Sequence, residues 1–561
     1  MISERKKIRY HSWERDFARD VLYLLDDFTW LKGLPVNYNT WDEVTVKQWR
    51  ELAEWYVQSR NVPISWWLRW EQEYFYDIFY GYLGIYIELF FIISISLLII
   101  FFVIFDYIFK YKFILSLNIG YVLILIFILI NLLLHNTKSS FFIFDDILRE
   151  DGFSIFIQNV LTINFIFYII ISLDYIFLEK IVHYEYFLLV GLSFLGMIIM
   201  VKSNDLISLY LAIELQSLVF YIISSFKVYS NFSTEAGLKY FILGSFSSGI
   251  LLLGCSLIYG FVGTTNFSDL RLLLSTQISN NVFIGILVGV ICIIIGILFK
   301  LGAVPFHMWL PDVYEGVPTM VTALFAIIPK IALFGLLYRL GISFCADNFF
   351  FWNQLFLYVS VLSIMLGTLG ALYQVKIKKL LAYSAISHTG FILLGYSSFT
   401  NFSLFATYVY IIVYIIISLN MFILLLVLRK RDNFLKFKKV SEFVVLFKSN
   451  PMLAINFCLI LFSIAGIPPL LGFYSKLFIF LSALNSNLYF IVFIVAIISV
   501  VASMYYIRLI KLMFFKKFKF WNFLFEISKY NCILISVTFV LNVIFSLYPE
   551  KFLIFIYNIL I

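Results

Sequence analysis

Phe299-Lys300-Leu301-Gly302-Ala303-Val304-Pro305-Phe306-His307-Met308-Trp309-Leu310-Pro311-Asp312-Val313-Tyr314-Glu315-Gly316-Val317-Pro318-Thr319 is the stretch that decides the fold. It closes an apolar run near residues 283–303, so its lysine stands at the end of a segment made for hydrocarbon. Gly302 and Pro305 follow at once, and a glycine–proline pair breaks a helix. A charge beside a break, inside apolar sequence, points to a membrane protein that moves something.

Outward from that stretch, apolar runs of about twenty residues recur from Tyr82 to the C-terminus, each long enough to cross ~30 Å of hydrocarbon. The 561 residues are 62% hydrophobic and 13% charged, with mean hydropathy +0.97, where a globular protein carries about a quarter charged residues. A soluble enzyme is excluded, and the fold class is an all-α, polytopic membrane protein. Fourteen spans are expected, near 84–107, 114–134, 160–178, 185–201, 205–226, 238–261, 283–303, 319–340, 354–373, 380–397, 403–428, 450–484, 487–507 and 531–555. The span through Pro468 and Pro469 is too long for one straight helix.

The first 80 residues are different material. They hold 11 Lys+Arg and 13 Asp+Glu against 30 and 20 in the rest, so the net charges are −2 and +10, and eight of the eleven tryptophans lie between Trp13 and Trp70. Trp13, Phe17, Val21, Leu24 and Phe28 recur at helical spacing, and Thr40-Trp41-Asp42-Glu43 reads as a capping box for a second helix. No signal-peptide core follows the charged start, so a small helical extension, 1–82, is expected, lying at the membrane interface or on a partner. Cys255, Cys292, Cys345, Cys458 and Cys532 are far apart and form no CxxC, so they read as small core residues rather than a disulfide or thiolate site. The excess of Phe (65) and Tyr (37), with Ile, Asn and Lys, suggests an A+T-rich genome.

Loops on the negative side of a membrane collect Lys and Arg. Those after odd-numbered spans hold Lys110, Lys112, Lys180, Lys227, Lys376, Lys378, Lys379, the cluster Arg429 to Lys448, and Arg508 to Lys529. The even ones hold few, such as Lys138, Arg149, Lys202 and Arg271. Both termini are therefore expected on the positive side.

An ionisable side chain in mid-membrane costs about 3 kcal/mol or more, so each needs a partner, water or a function. Glu214, Lys239, Lys300, Lys330 and Lys476 stand out. The bland alternative for each lysine is snorkelling to the headgroups, most natural for Lys239 near the start of its span. Desolvation penalises a charged ammonium and an approaching carboxylate restores it, a swing that a proton relay uses and a structural salt bridge does not. Lys300 precedes one helix break, and Gly466-Ile467-Pro468-Pro469 with Gly472 precedes Lys476; broken helices at matching places in two halves point to a transporter ion path. Of five histidines, only His307 and His388 lie in motifs of interest. No nucleotide loop, flavin fingerprint or metal-ligand cluster occurs, so redox cofactors would have to sit in partners.

The quoted stretch with Lys330, then Leu380-Leu381-Ala382-Tyr383-Ser384-Ala385-Ile386-Ser387-His388-Thr389-Gly390 and Ser463-Ile464-Ala465-Gly466-Ile467-Pro468-Pro469-Leu470-Leu471-Gly472-Phe473-Tyr474-Ser475-Lys476, resembles the antiporter-like subunits of respiratory complex I. The resemblance runs from Leu83 to about Tyr548. Leu209 to Ser217 and Leu238 to Gly249 are most similar to the subunit 2 branch; in the subunit 4 branch glutamate is typical where this chain has Lys476. The resemblance implies two inverted five-helix repeats, 181–345 and 346–510, preceded by three helices in 83–180 and followed by a last membrane helix in 511–561.

It further implies that Glu214 and Lys239 form the charge pair on the access side. Lys300 is then the central proton carrier, Lys330 leads onward, Lys476 serves the second half-channel, and His307 and His388 line or brace the water path. For His307, bracing the broken helix and relaying protons stand as equal alternatives, and Asp312 and Glu315 are expected in a solvated loop. NADH, FMN, iron–sulfur clusters and ubiquinone would belong to partner subunits. The implied partners are other membrane-arm subunits, including the adjacent antiporter-like one, and lipid, with a lineage-specific subunit for the extension and no nucleic acid. The implied location is the mitochondrial inner membrane, with the N-terminus on the intermembrane-space side. The competing readings are a stand-alone Mrp-type cation/proton antiporter and a purely structural membrane subunit.

Overall fold

A computed structural model of the chain describes residues 141–144, 146–179, 184–274, 280–344, 350–429, 437–516 and 527–560. The tryptophan-rich extension, the spans expected near 84–107 and 114–134, Cys345, Lys110, Lys112, Lys138 and Lys180 lie outside the described residues.

A hairpin of β1 (Phe141–Ile143) and β2 (Leu148–Glu150) leads into α1 (Gly152–Glu179), α2 (Tyr184–Lys202), α3 (Leu206–Ser224) and α4 (Asn231–Val262). Then come the short α5 (Phe267–Leu274), α6 (Asn280–Leu301), the half-helix α7 (Trp309–Gly316) and α8 (Thr319–Phe344). The remainder is α9 (Phe350–Leu372), α10 (Ile377–Tyr396), α11 (Asn401–Val427), the pair α12 (Pro451–Ala465) and α13 (Leu471–Asn485), α14 (Tyr489–Phe515), α15 (Lys529–Leu547) and α16 (Pro549–Leu560). Among the described residues ten helices are long and apolar enough to cross a membrane: α1 to α4, α6, α8, α9, α11, α14 and α15. Helix α10 is 20 residues long, but Ser384, Ser387, His388 and Thr389 give it a polar face. Helix α8 is the hub, with 100% of its apolar window buried against 22% for α14. The chain is thus a mostly helical, multi-pass membrane protein.

Several boundaries differ from the sequence reading for local reasons. Asp151 accepts from the Ser154 backbone N–H at 3.0 Å while its own N–H donates to Ser154 Oγ at 2.9 Å, a reciprocal cap that starts α1 eight residues early. Helix α4 has 32 residues, about 48 Å at 1.5 Å per residue, so it is longer than the ~30 Å of hydrocarbon requires. The last expected span, 531–555, ends as α15 at Leu547, and Pro549 begins a separate α16. Cys255 is buried, whereas Cys532 is exposed on the outer side of α15, so the small-core reading fails for it.

Both breaks are built alike. At the end of α6, Gly302 has φ +72°, its N–H donates to Phe299 O at 3.0 Å, and Ala303 N–H donates to Leu298 O at 3.0 Å. At the end of α12, Gly466 has φ +85°, its N–H donates to Ser463 O at 3.1 Å, and Ile467 N–H donates to Phe462 O at 3.1 Å. This is the Schellman arrangement, which closes a helix on a left-handed glycine. Prolines follow each, so neither helix continues straight through.

The charged loops gather by face. Glu179 at the end of α1 accepts from Lys227 and from Arg429, each at 3.1 Å, and Lys376 pairs with Lys439 through the backbone. These residues follow odd-numbered spans, so the described basic loops share one face. At the opposite ends of the same helices, Lys202 meets Glu150 at 3.4 Å and Arg339 meets Asp151 at 3.0 Å.

Candidate functional site

Lys300 lies in the last turn of α6, held in place by the break. Trp309, the first residue of α7, donates its indole N–H to Phe299 O at 2.9 Å, a second donor on the carbonyl that also accepts from Gly302 N–H at the break. Lys300 is thereby free to reach across to α3, where its ammonium donates to the Tyr221 hydroxyl at 2.9 Å and stands 5.3 Å from the ring centre. Gly244 on α4 makes room for that hydroxyl, because a β-carbon there would meet it. A cavity of about 20 Å³ adjoins Lys300, lined also by Gln216, Ser217, Tyr240 and Pro329, and a space of this size holds about one water.

At the second break the lysine itself serves the helix end. Lys476 reaches back from α13 and donates to Ile464 O at 3.0 Å and Ala465 O at 2.8 Å. A cation on the last carbonyls of a helix also complements the helix dipole. Its ammonium lies 5.5 Å from the Phe391 ring centre, so here the neighbouring aromatic carries no hydroxyl.

Lys330 is buried in α8, one residue after Pro329. It donates to Tyr414 Oη at 3.2 Å and to Ala385 O at 3.4 Å. His388 on α10 shares its Nδ1 hydrogen bond with Tyr410 Oη at 2.7 Å, and its ring lies 5.4 Å from that of Tyr414. A cavity of about 40 Å³ joins this group to the second break, lined by Ser384, Ala385, His388, Tyr410, Tyr414 and Lys476 among others. It has room for roughly three waters. Among the described residues, Lys300, Lys330 and Lys476 make no ion pair: all their acceptors are hydroxyls or carbonyls.

The remaining candidates fall elsewhere. Glu214 on α3 does not meet Lys239: its Oε2 accepts from Ser217 at 3.4 Å, and its Oε1 is buried with no hydrogen-bond partner. Lys239 instead pairs with Glu235 at 2.8 Å and Asp312 at 3.2 Å, with its side chain 45% exposed. It lies two turns into α4 and points toward α7. Asp312 and Glu315 are not loop residues. They sit on α7 and form a network in which Lys379 meets Asp312 at 3.5 Å and Glu315 at 3.0 Å, and Lys376 also pairs with Glu315. His307 is buried at the first break with Nδ1 3.3 Å from Pro305 O, a bracing contact, and it lines neither cavity. Sequence reasoning passed over Tyr221, Tyr410 and Tyr414; the four-residue spacing of the last two, which puts them on one face of α11, was the available signal.

A sequence model of the family described as NADH:quinone oxidoreductase/Mrp antiporter, transmembrane, matches residues 203–503. The chain is 42% identical over 408 residues to NADH-ubiquinone oxidoreductase chain 2 of Marchantia polymorpha, covering 71% of this chain and 81% of that one. It is 39% identical over 372 residues to NADH-quinone oxidoreductase subunit N of Rhodospirillum rubrum, covering 66% and 76%. Its fold is similar to a chain of respiratory complex I from Thermus thermophilus, with TM-score 0.68, 23% identity, and coverage of 82% of this chain and 97% of that chain.

Proposed function

The chain belongs to the NADH:quinone oxidoreductase/Mrp antiporter family, alongside NADH-ubiquinone oxidoreductase chain 2 and subunit N, and from that premise we propose that Lys300, Lys330 and Lys476 carry protons across the membrane. The chain is a membrane-arm subunit of the proton-translocating NADH:quinone oxidoreductase. Electron transfer from NADH to quinone occurs in partner subunits, which hold FMN, the iron–sulfur clusters and the quinone site. A change of charge or conformation there reaches this chain and alters the proton affinity of its lysines in turn.

The observation that carries this reading is the choice of partners. Lys330 and Lys476 are buried and Lys300 is half-buried, each next to a break or a proline, and among the described residues each is hydrogen-bonded only to neutral oxygens. A lysine bound to a carboxylate would leave an uncompensated buried charge on losing its proton; a lysine bound to hydroxyls and carbonyls leaves none. Glu214, with an unpartnered buried oxygen near the first cavity, is the carboxylate that biases Lys300, while Lys239 closes the access side through Asp312. His388 belongs to the water path and His307 braces the break.

Helices α2 to α8 and α9 to α14 form the two inverted repeats in this scheme, divided as 181–345 and 346–510. The basic face lies on the negative side of the mitochondrial inner membrane, which puts the N-terminal extension on the intermembrane-space side, available to a lineage-specific subunit. The test is Lys300→Met in the intact complex, with assembly verified by comigration with NADH dehydrogenase activity on a native gel. Fewer protons pumped per NADH are expected; full pumping by the assembled variant removes Lys300 from the path.

A further inference from the structure

We infer that Tyr414 is the hydroxyl that passes protons between Lys330 and the cavity shared by His388 and Lys476, a refinement that rests on the proposed proton path. Lys330 does not line that cavity. Its ammonium has two acceptors, Tyr414 Oη at 3.2 Å and Ala385 O at 3.4 Å, and both residues do line it. A carbonyl can accept a hydrogen bond but has no proton to hand on; a hydroxyl is donor and acceptor at once. Tyr414 is therefore the proton-transferring group, among the described residues, that touches Lys330 on the cavity side.

The hydroxyl has a resting place. Tyr414 donates to Ala326 O at 3.3 Å while accepting from Lys330. Rotating the hydroxyl hydrogen from that carbonyl toward the cavity aims it at the water-sized space bordered by His388 and Lys476. The step then balances as a relay. One N–H bond of the Lys330 ammonium breaks as an O–H bond forms on Tyr414, and the original Tyr414 proton leaves to a cavity water. Lys330 becomes a neutral amine, Tyr414 is unchanged, and the water file delivers one proton to a neutral Lys476. As an ammonium, Lys476 gives two of its three N–H groups to Ile464 O and Ala465 O, so the third remains for the cavity.

His388 is not an equivalent route. Its Nδ1 is engaged with Tyr410 Oη at 2.7 Å, and no hydrogen bond joins it to Lys330 among the described residues. Tyr410 engages the imidazole, whereas Tyr414 both touches Lys330 and lines the cavity.

The experiment compares Tyr414→Phe, Tyr410→Phe and Lys330→Met in the intact, assembled complex, reading uncoupled NADH oxidation and protons pumped per NADH. Tyr414→Phe keeps the ring and removes the hydroxyl. It is expected to lose protons pumped per NADH to the level of Lys330→Met, while Tyr410→Phe loses less. Full pumping by Tyr414→Phe beside impaired Lys330→Met overturns the relay and leaves the lysine path standing; full pumping by Lys330→Met overturns the path itself. Tyr414→His, whose ring can both accept and donate, is expected to retain pumping and carries the test alone if the phenylalanine variant does not assemble. Equal loss in the histidine and phenylalanine variants would mark Tyr414 as a packing residue and overturn the inference.

Discussion

Replacing Gly466 by alanine tests the second break and its lysine together. Gly466 holds φ +85° at the end of α12, and a left-handed conformation costs a residue with a β-carbon about 1–2 kcal/mol. The added carbon would also stand 2.9 Å from Lys476 Cδ and 3.0 Å from its Nζ, so the Lys476 side chain must shift against the two carbonyls it serves. A hydrogen bond from a charged group contributes about 1.5–3 kcal/mol, and strain together with the loss of one such bond comes to roughly 2.5–5 kcal/mol. Two other glycines divide that sum. Gly263 has φ +81° with open space where a β-carbon would go, and Gly249 lies within α4, also facing open space. Gly263→Ala should therefore cost the strain alone, about 1–2 kcal/mol, and Gly249→Ala should be neutral or stabilising by up to about 1 kcal/mol. The assay is the half-inactivation temperature of NADH-driven proton pumping in membranes, read beside the proton yield before heating. Gly249→Ala should hold at or above the natural protein, Gly263→Ala below it and Gly466→Ala lowest, with the proton yield reduced in Gly466→Ala alone. A Gly466→Ala variant as stable as Gly263→Ala and pumping fully would refute the coupling of break and lysine.

Two pairs of charges should respond oppositely to neutralisation. Asp151→Asn removes the carboxylate that pairs with the buried Arg339 guanidinium at 3.0 Å, and breaking a buried pair costs up to about 3–5 kcal/mol; less assembled complex is expected on a native gel. Asp312→Asn removes pairs with Lys239 and Lys379, whose side chains are 45% and 29% exposed, and surface pairs contribute about 0–1 kcal/mol each, so the half-inactivation temperature should barely move. Asn420 and Asn456 bond to each other inside the bundle at 3.2 and 3.4 Å. Asn456→Ala should cost about 1–3 kcal/mol by orphaning the Asn420 amide, and replacing both by leucine should recover most of it, a non-additivity that a double-mutant cycle measures directly.

The helices were legible because hydrocarbon thickness imposes a length: of the twelve expected spans from 160–178 onward, ten fall on one helix each, while 450–484 and 531–555 each fall on two. The ends were less legible, since polar first turns such as Asn231 to Gly237 look like loop until their packing is known. Helix α7 was hidden by Pro311, which reads as a breaker; in the first turn of a helix a proline removes only an N–H that has no partner there. Lys300, Lys330 and Lys476 announced themselves as charges in apolar runs. Tyr221, Tyr410 and Tyr414 did not, because a membrane helix accepts tyrosine without demanding a reason, and the chain has 37 of them. Pairing Glu214 with Lys239 went wrong because adjacent helices share a side chain only if both present it to the same groove, and Lys239 faces α7.

Helix α8 carries two buried cations nine residues apart, about 13.5 Å along its axis, and their partners separate their roles. Arg339 is fixed by Asp151 at 3.0 Å and by the carbonyls of Arg149 and Ser203 at 3.2 Å each. A guanidinium does not deprotonate in proteins, so this site can only hold β2, the start of α1 and the end of α2 together. Lys330 has a hydroxyl and a carbonyl, both neutral and both at long hydrogen-bond distance. Exchanging the two residue types would fail in both directions. A lysine at 339 could not span three acceptors with a planar fork, and an arginine at 330 would fill the space beside Tyr414 with a charge that never leaves. In this bundle Arg339 anchors the loops at one face, and Lys330, in the proposed path, is kept where its hydrogen-bond acceptors among the described residues are neutral oxygens.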